Sequence, residues 1–380
     1  KGASTDFDGN FEIKNVEVNS ILVFTYLGYQ DQEVVVKNGE ALKVVLIEDT
    51  ESLDEVVVIG YGSQKKRDVT GAVSIVSAKQ LKEFQPIKVE QALQGTVAGV
   101  NVTSQSGSPG AGLDIRIRGI GTNGAAGPTV IIDGYVGDLS ILNPNDIETI
   151  TVLKDAQAAI YGTIGANGVV LITTKSGKKN QKTTVSYNTY TGFQETSNRL
   201  NLLNASEYAV ILNEGYVANG QAAPLPDISG LGAGTDWQDE IFNSGVPITS
   251  HDFTVSGGSE KMTYAFSGSH LYQQGIIAPK KTDFRRNTAR LALGADISEK
   301  LRFKANAIYT YIDRDAINDS GLGSVLFNAL NAPSTLSALD SNGQPTLFPS
   351  SPGLGIEIIN PIAQIQNTYN DFDLKKLNGT

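Results

Sequence analysis

The sequence predicts a mainly β fold class in which a compact α+β body precedes a large antiparallel sheet. Three observations carry that prediction. Asn143–Lys175, NPNDIETITVLKDAQAAIYGTIGANGVVLITTK, alternates helix starts with short β-branched runs, an αβαβ pattern. From Thr183 onward, long stretches alternate apolar and polar residues with period two. Glycine accounts for 40 of 380 residues, more than the usual share of about 7%, which suits a turn-rich β protein.

Totals narrow the function classes. A chain of 380 residues has room for two or three domains. The net charge of -10 argues against a nucleic-acid partner, whose binding draws on a basic footprint. The basic clusters Lys65–Arg67 and Lys178–Lys182 are short and read as solvated linkers. With no cysteine, neither a disulfide frame nor a thiolate metal site is available. Two histidines, His251 and His270, leave little for histidine-based catalysis. No run approaches the ~20 apolar residues of a membrane helix. The opening KGASTDFDGNFEI starts in mid-pattern, so the chain is expected to be a piece of something longer.

Residues 1–48 predict short strands at Phe11–Ile13, Ile21–Tyr26, Glu33–Val36 and Leu42–Ile47, with Asp8-Gly9-Asn10 as a hairpin turn. Asp6, Asp8, Asn10 and Glu12 lack the twelve-residue pattern of a calcium loop and read as turn residues; no metal site is expected. Residues 49–68 differ: an acidic stretch, the apolar burst Glu55–Ile59, then a glycine-rich basic stretch. An apolar strand between oppositely charged flanks suits pairing with another chain's sheet edge; the other reading is an ordinary strand of the preceding domain.

The α+β body is expected over 69–177. Val69–Val76, Gly99–Ser104 and Leu113–Arg118 read as strands, Val89–Gln94 as a short helix and Ser106–Gly112 as a turn cluster. In Asp114, Arg116 and Arg118 three charges share one strand face and need partners. Pro144 marks a helix start, Thr149–Leu153 a strand, and Asp155–Tyr161 an Ala-rich helix stopped by Gly162. Val169–Thr174 is apolar on both faces, so a central strand. Gly119, Gly121 and Gly124 match the dinucleotide fingerprint, but Ala-Ala-Gly-Pro follows and cannot open a helix, so no nucleotide cofactor is expected.

After Lys182 the strands around Val185–Thr189, Met262–Ser267 and Leu301–Tyr311 carry tyrosines near their ends. Asn201–Gly245 and Asp313–Asp371, rich in Asn, Gly, Pro and Ser, read as long loops, with a helix Ser206–Glu214 in the first. This alternation fits either a soluble β-sandwich or a transmembrane barrel with an aromatic girdle.

A resemblance decides between them. IRIRG (Ile115–Gly119), VIIDG (Val130–Gly134) and Asn143–Lys175 together resemble the plug domain of TonB-dependent outer-membrane transporters. LDEVVVIGYGSQKK (Leu53–Lys66), ALQGTVAGVNV (Ala92–Val102) and SGSPG (Ser106–Gly110) narrow it to the SusC/RagA family.

The resemblance implies a truncated carboxypeptidase-regulatory-like β-sandwich (1–48), a TonB-box-like segment and linker (49–68), a plug (69–177) and the N-terminal part of an outer-membrane β-barrel (183–380). Roughly 200 residues suffice for about eight strands, whereas plugged barrels have about 22, so the barrel is expected to be incomplete.

By the same resemblance, Asp54, Glu55, Val56, Val57, Val58 and Ile59 meet TonB. Arg116 and Arg118 are candidates for locking the plug by ion pairs with the barrel wall, and Glu148, Lys154 and Asp155 for plug-internal or plug-to-wall ion pairs. Implied partners are TonB, a SusD-like surface lipoprotein, an oligosaccharide or peptide substrate and outer-membrane lipids. No catalytic residue and no cofactor is expected. Trp237, Tyr135 and Tyr272 are weighed both as sugar-stacking and as fold residues. A siderophore or cobalamin receptor and a soluble β-sandwich binding or adhesion protein remain the alternatives.

Overall fold

The computed structural model describes residues 73–379 except 123, 125, 319 and 349–357. Before residue 73 it describes 3, 5, 6, 9–13, 16–26, 29, 32–37, 42–46, 56–59 and 62–65; for 56–59, 62–65, 155 and 156 only the backbone is described. The chain divides into two compact units, Lys1–Gly71 and Ala72–Thr380.

In the first unit, β1 (Ile21–Phe24) and β2 (Gln32–Val35) pair antiparallel. Phe11–Ile13 and residues 42–46 form no strand. Phe11 instead packs its ring edge-on against Phe24, 5.1 Å between centroids, which uses its apolar surface without a ladder. The Asp6 carboxylate accepts from Asn10 N at 2.7 Å and Asn10 Nδ2 at 3.1 Å, closing the expected turn; Asp8 lies outside the described residues. β3 (Val56–Ile59) pairs antiparallel with β4 (Gly62–Lys65) as a two-stranded ribbon. Asp54, Glu55 and the acidic flank lie outside the described residues, while part of the glycine-rich basic flank forms β4.

The second unit begins with β5 (Val73–Ser77) and α1 (Ala78–Phe84). Ser77 and Gln80 form a capping box, each side chain serving the other's backbone N–H. A 3₁₀ turn at Val89–Leu93 leads into the hairpin of β6 (Val100–Ser104) and β7 (Leu113–Ile117). Then follow β8 (Thr129–Ile132), β9 (Tyr135–Val136), β10 (Ile147–Leu153) and β11 (Val169–Thr174). The sheet order is β5-β10-β11-β8-β9, with β11 central as its apolar faces require.

The helices expected in Asn143–Lys175 are 3₁₀ turns, Pro144–Asp146 and Asp155–Gly165. Gly162, at φ 64°, ψ -142°, interrupts the second inside its span. Their bonds run between residues three apart, as from Asp146 N to Asn143 O and from Gln157 N to Lys154 O. The core gathers Leu93, Ile132, Ile141, Leu142, Ile147, Ile150 and Ile172, all fully buried.

Six strands in meander order form the wall: β12 (Thr184–Gln194), β13 (Val246–Gly258), β14 (Met262–Gln274), β15 (Asp283–Ser298), β16 (Leu301–Ala316) and β17 (Asn370–Gly379). All neighbours are antiparallel. Each has 10 to 16 residues, the reach a tilted membrane strand needs. Connections are short at one end, 259–261 and 299–300, and long at the other, 195–245, 275–282 and 317–369. Among the described residues no helix is long and apolar enough to cross a membrane, which says nothing of strands.

The loop expected at Asp313–Asp371 is shorter, because Asp313 and Asp371 already belong to the ladder of β16 and β17, facing Asp373 and Asp315. Its neighbour holds α2 (Ala205–Ala218), capped by Asn204, whose Oδ1 accepts from Glu207 N at 2.9 Å. α3 (Trp237–Ile241), α4 (Val325–Asn331) and α5 (Pro361–Asn367) pack into one loop cluster.

The wall's two faces are inverted relative to a water-soluble sheet. Phe253, Phe266, Leu291, Leu293, Phe303 and Tyr309 are exposed, while Asp252, Ser267, Arg286, Thr288, Arg290 and Thr310 are buried against the body. The body's exit segment crosses this inner face closely. A Cβ on Gly177 would stand 2.1 Å from Gly257 O and 2.4 Å from Tyr264 O. Gly177→Ala is therefore expected to lower stability by roughly 1–3 kcal/mol; an unchanged thermal unfolding midpoint would contradict that contact.

Candidate functional site

The site is the seam between body and wall. On the body side it is built from tight turns. Asp133 and Gly134 both have positive φ, 46° and 97°, and turn β8 into β9. That turn holds the Asp133 carboxylate beside the end of β11, where it accepts from Thr174 N at 2.9 Å and Thr174 Oγ1 at 2.5 Å. Further along, Asn143 caps the turn at Pro144 by accepting from Asn145 N at 3.1 Å.

On the wall side, period two brings Arg286, Thr288 and Arg290 of β15 to the inner face. Arg290 donates to Thr174 Oγ1 at 2.5 Å and Lys175 O at 2.6 Å. Asn306 donates to Asp133 Oδ2 and lies 3.3 Å from Thr174 Oγ1. Asp252 of β13 accepts from Asn143 Nδ2, from Asn145 Nδ2 at 2.9 Å and from Ser250 Oγ at 3.1 Å. Thr310 Oγ1 donates to Ile141 O at 2.7 Å, and Arg286 reaches Ile87 O at 3.3 Å. Ile308 of β16 joins the body's own apolar core.

The seam's charges sit in low-dielectric surroundings. Burial pushes the Asp146 carboxyl up, while Ser267 and the Arg290 guanidinium act the other way. Burial likewise raises Glu90 and takes Tyr135 to about 12. Lys88, whose Nζ donates to Ala111 O, is lowered to about 8, chiefly by burial; Glu90 opposes, and Arg286 and Arg314 add to the lowering. Arg286 Nε, Arg290 Nε, Thr288 Oγ1 and Asn306 Oδ1 are buried without a protein partner among the described residues.

The lock candidates read from the sequence fall elsewhere. Arg116 lies 3.8 Å from Asp114 and donates to Ile115 O, both within the body. Arg118 follows β7 at φ 57°, its N–H donating to Gly99 O. Lys154 is buried inside the body, donating to Ser74 Oγ at 3.1 Å and to Ala98 O. Glu148 is exposed, and the Asp155 side chain lies outside the described residues.

Nor do the three aromatics converge. Trp237 is a core residue, its Nε1 donating to Pro333 O at 3.0 Å and its ring edge-on to Phe348. Tyr135 is half-buried in the seam. Tyr272 faces outward beneath Arg285. The seam residues Asp133, Asp252, Arg286, Arg290 and Asn306 were missed by the sequence reading. Their one local signal is the pair of arginines four apart on the strand face opposite Leu291 and Leu293.

Comparison with known proteins bears on this geometry. Residues 65–169 match the TonB-dependent Receptor Plug Domain, and residues 1–58 the CarboxypepD_reg-like domain. TonB-dependent receptor SusC of Bacteroides thetaiotaomicron is 42% identical over 80% of this chain and 31% of its own length. TonB-dependent receptor P3 of Formosa agariphila is 37% identical over 95% of this chain and 35% of its own. The RagAB peptide importer in its open-open state superposes with a TM-score of 0.70 at 28% identity, over 86% of this chain and 40% of that one. The chain spans about a third of the length of these curated relatives.

A plug of this topology seated on the inner face of an outward-apolar strand meander defines a TonB-dependent receptor. The ferric enterobactin receptor PirA of Pseudomonas aeruginosa matches only 34% of the chain, whereas the SusC relative matches 80%. The chain belongs to the SusC/RagA family of TonB-dependent receptors.

Two outcomes test the seam. Arg290→Met strips donors from Thr174 and Lys175 in a buried site and is expected to cost about 3–5 kcal/mol, read as plug release at lower urea concentration. Asp146→Asn keeps the shape of a carboxyl already biased towards its neutral form, and is expected to cost far less. Separately, the Lys88 ammonium is expected to titrate near pH 8, followed by ¹³C NMR after reductive methylation. Because its pKa is depressed on folding, its contribution to stability is complete above the unfolded value. It is lost as pH falls towards 8. A midpoint near the ordinary lysine value would contradict the burial of that amine.

Proposed function

We propose that this chain serves TonB-dependent import of oligosaccharides or peptides across the bacterial outer membrane, with a SusD-like lipoprotein as surface partner. The observation that carries the reading is a compact plug held to a wall by a few buried polar links, several of their groups lacking a second partner. Such a seam holds at rest and yields to a directed pull. The outward band of Phe253, Phe266, Leu291 and Phe303 fits lipid, while the buried Arg286 and Arg290 fit a plugged lumen.

The pull enters through 54–59. Its described part, β3, pairs with β4 on one edge, and among the described residues the other edge has no ladder partner. TonB adds there as a strand, drawing on main-chain hydrogen bonds. No bond in the substrate is broken, so the reading needs no catalytic residue. Among the described residues no group of three or more His, Cys, Asp or Glu is placed to hold a metal.

In the full-length receptor, deleting Asp54–Ile59 is expected to abolish uptake while leaving substrate binding at the cell surface intact. Uptake at the parental rate after that deletion would overturn the proposal.

A further inference from the structure

At the long-loop end of the wall, a cavity of about 320 Å³ opens above the plug. Its floor is the plug turn Gly107–Pro109, and its sides come from all three long connections. Leu200, Ile276, Ile277, Val325, Leu326 and Leu330 give it an aliphatic lining. The volume lies within the range of small-ligand pockets, about 300–1,000 Å³.

Three of its polar side chains, those of Gln238, Arg199 and Thr196, are already engaged within the protein, which leaves Ser108 and Asn198 to meet an occupant. Gln238 exchanges two hydrogen bonds with the Leu200 backbone, donating to O at 2.7 Å and accepting from N at 2.9 Å. Arg199 pairs with Asp239 and lies over the Phe242 ring. Thr196 Oγ1 donates to Asn198 O at 2.8 Å. A sugar ring brought here would find side-chain partners only at Ser108 and Asn198, and each further hydroxyl buried unpaired costs about 1–3 kcal/mol. It would also meet no open aromatic face, since the cavity's one ring already carries Arg199. An aliphatic side chain asks for neither.

We infer that this cavity binds a leucine-sized aliphatic side chain of a peptide substrate, an inference that rests on the import reading and names its substrate class. The floor gives the binding a consequence. Pro109 lies against Gly275 of the wall, where an added Cβ would come 3.2 Å from Pro109 Cγ, and Gly110 lies against Phe284. An occupant therefore touches the plug turn and the wall's loops together.

The test uses the full-length receptor in detergent. Binding is measured for decapeptides carrying Leu, Gly or Asp at one scanned position and for a linear maltoheptaose, on the parent and on Ile276→Trp, which fills the cavity. Leu330→Trp serves as a second filling variant, and thermal unfolding checks that both fold. The expected result is a loss of about 10- to 100-fold when Leu becomes Gly, the scale of one buried leucine side chain. A similar loss is expected in either filled variant. Peptide binding indifferent to filling, or maltoheptaose binding that filling blocks, would overturn the inference. Uptake in the variant lacking Asp54–Ile59 separates the two readings. Deletion-sensitive uptake of maltoheptaose alone would sink the peptide site and leave import standing, whereas deletion-insensitive uptake would sink import itself.

Discussion

Burial of two arginines on the concave side of the wall is the constraint from which the rest follows. Arg286 and Arg290 leave water only because the plug supplies Ile87 O, Thr174 Oγ1 and Lys175 O to receive them. Without the plug these guanidiniums need a wet lumen; with it, the plug's turns must stay where those oxygens are. That explains why Asp133 tolerates a left-handed backbone: the strained turn sets its carboxylate where Thr174 and Asn306 both reach it. It also accounts for Gly177, where the chain crosses the β13–β14 backbones with no room for a side chain.

The seam mixes two kinds of adhesion. Ile308 extends the plug's apolar core into the wall, a contact insensitive to direction. The polar links are directional, and several of their atoms have no second protein partner, a desolvation cost of about 1–3 kcal/mol each. Polar sites of this sort suit buried water. Resting cohesion is therefore well below what the same residues would give if fully paired. Two sets of links, Asp252 with Asn143 and Asn145, and Arg290 with Thr174 and Lys175, are joined through Lys175, whose Nζ donates to Asn145 O at 2.6 Å.

The plug's strands were legible because they obey local rules. Val169–Thr174 reads as central from apolarity on both faces, and β6, β7 and β10 from β-branched alternation. The helix at Ala78–Phe84 went unread although Ser77 and Gln80 spell a capping box, as do Asn204 and Glu207 before α2. The seam was illegible for a different reason. Asn143 was readable as a helix start, but its amide serves Asp252 more than a hundred residues away, and no window joins them. Arg116 and Lys154 drew the eye as charges needing partners, and they find them inside the plug. The wall's arginines were hidden because a barrel inverts the usual inside-apolar rule; only knowing that Leu291 and Leu293 face outward tells which side Arg286 and Arg290 take.

The ribbon of β3 and β4 fits the mechanics of the import reading. Two strands of four residues each make a sheet that is marginal in water on its own. A third strand adding to such a ribbon stabilises it by completing a second ladder, so the coupling segment gains structure at the moment it is engaged. Val56–Ile59 is β-branched throughout and loses little side-chain freedom on pairing. On the import reading proposed above, a ribbon of marginal stability suits a seam whose polar groups are only partly paired.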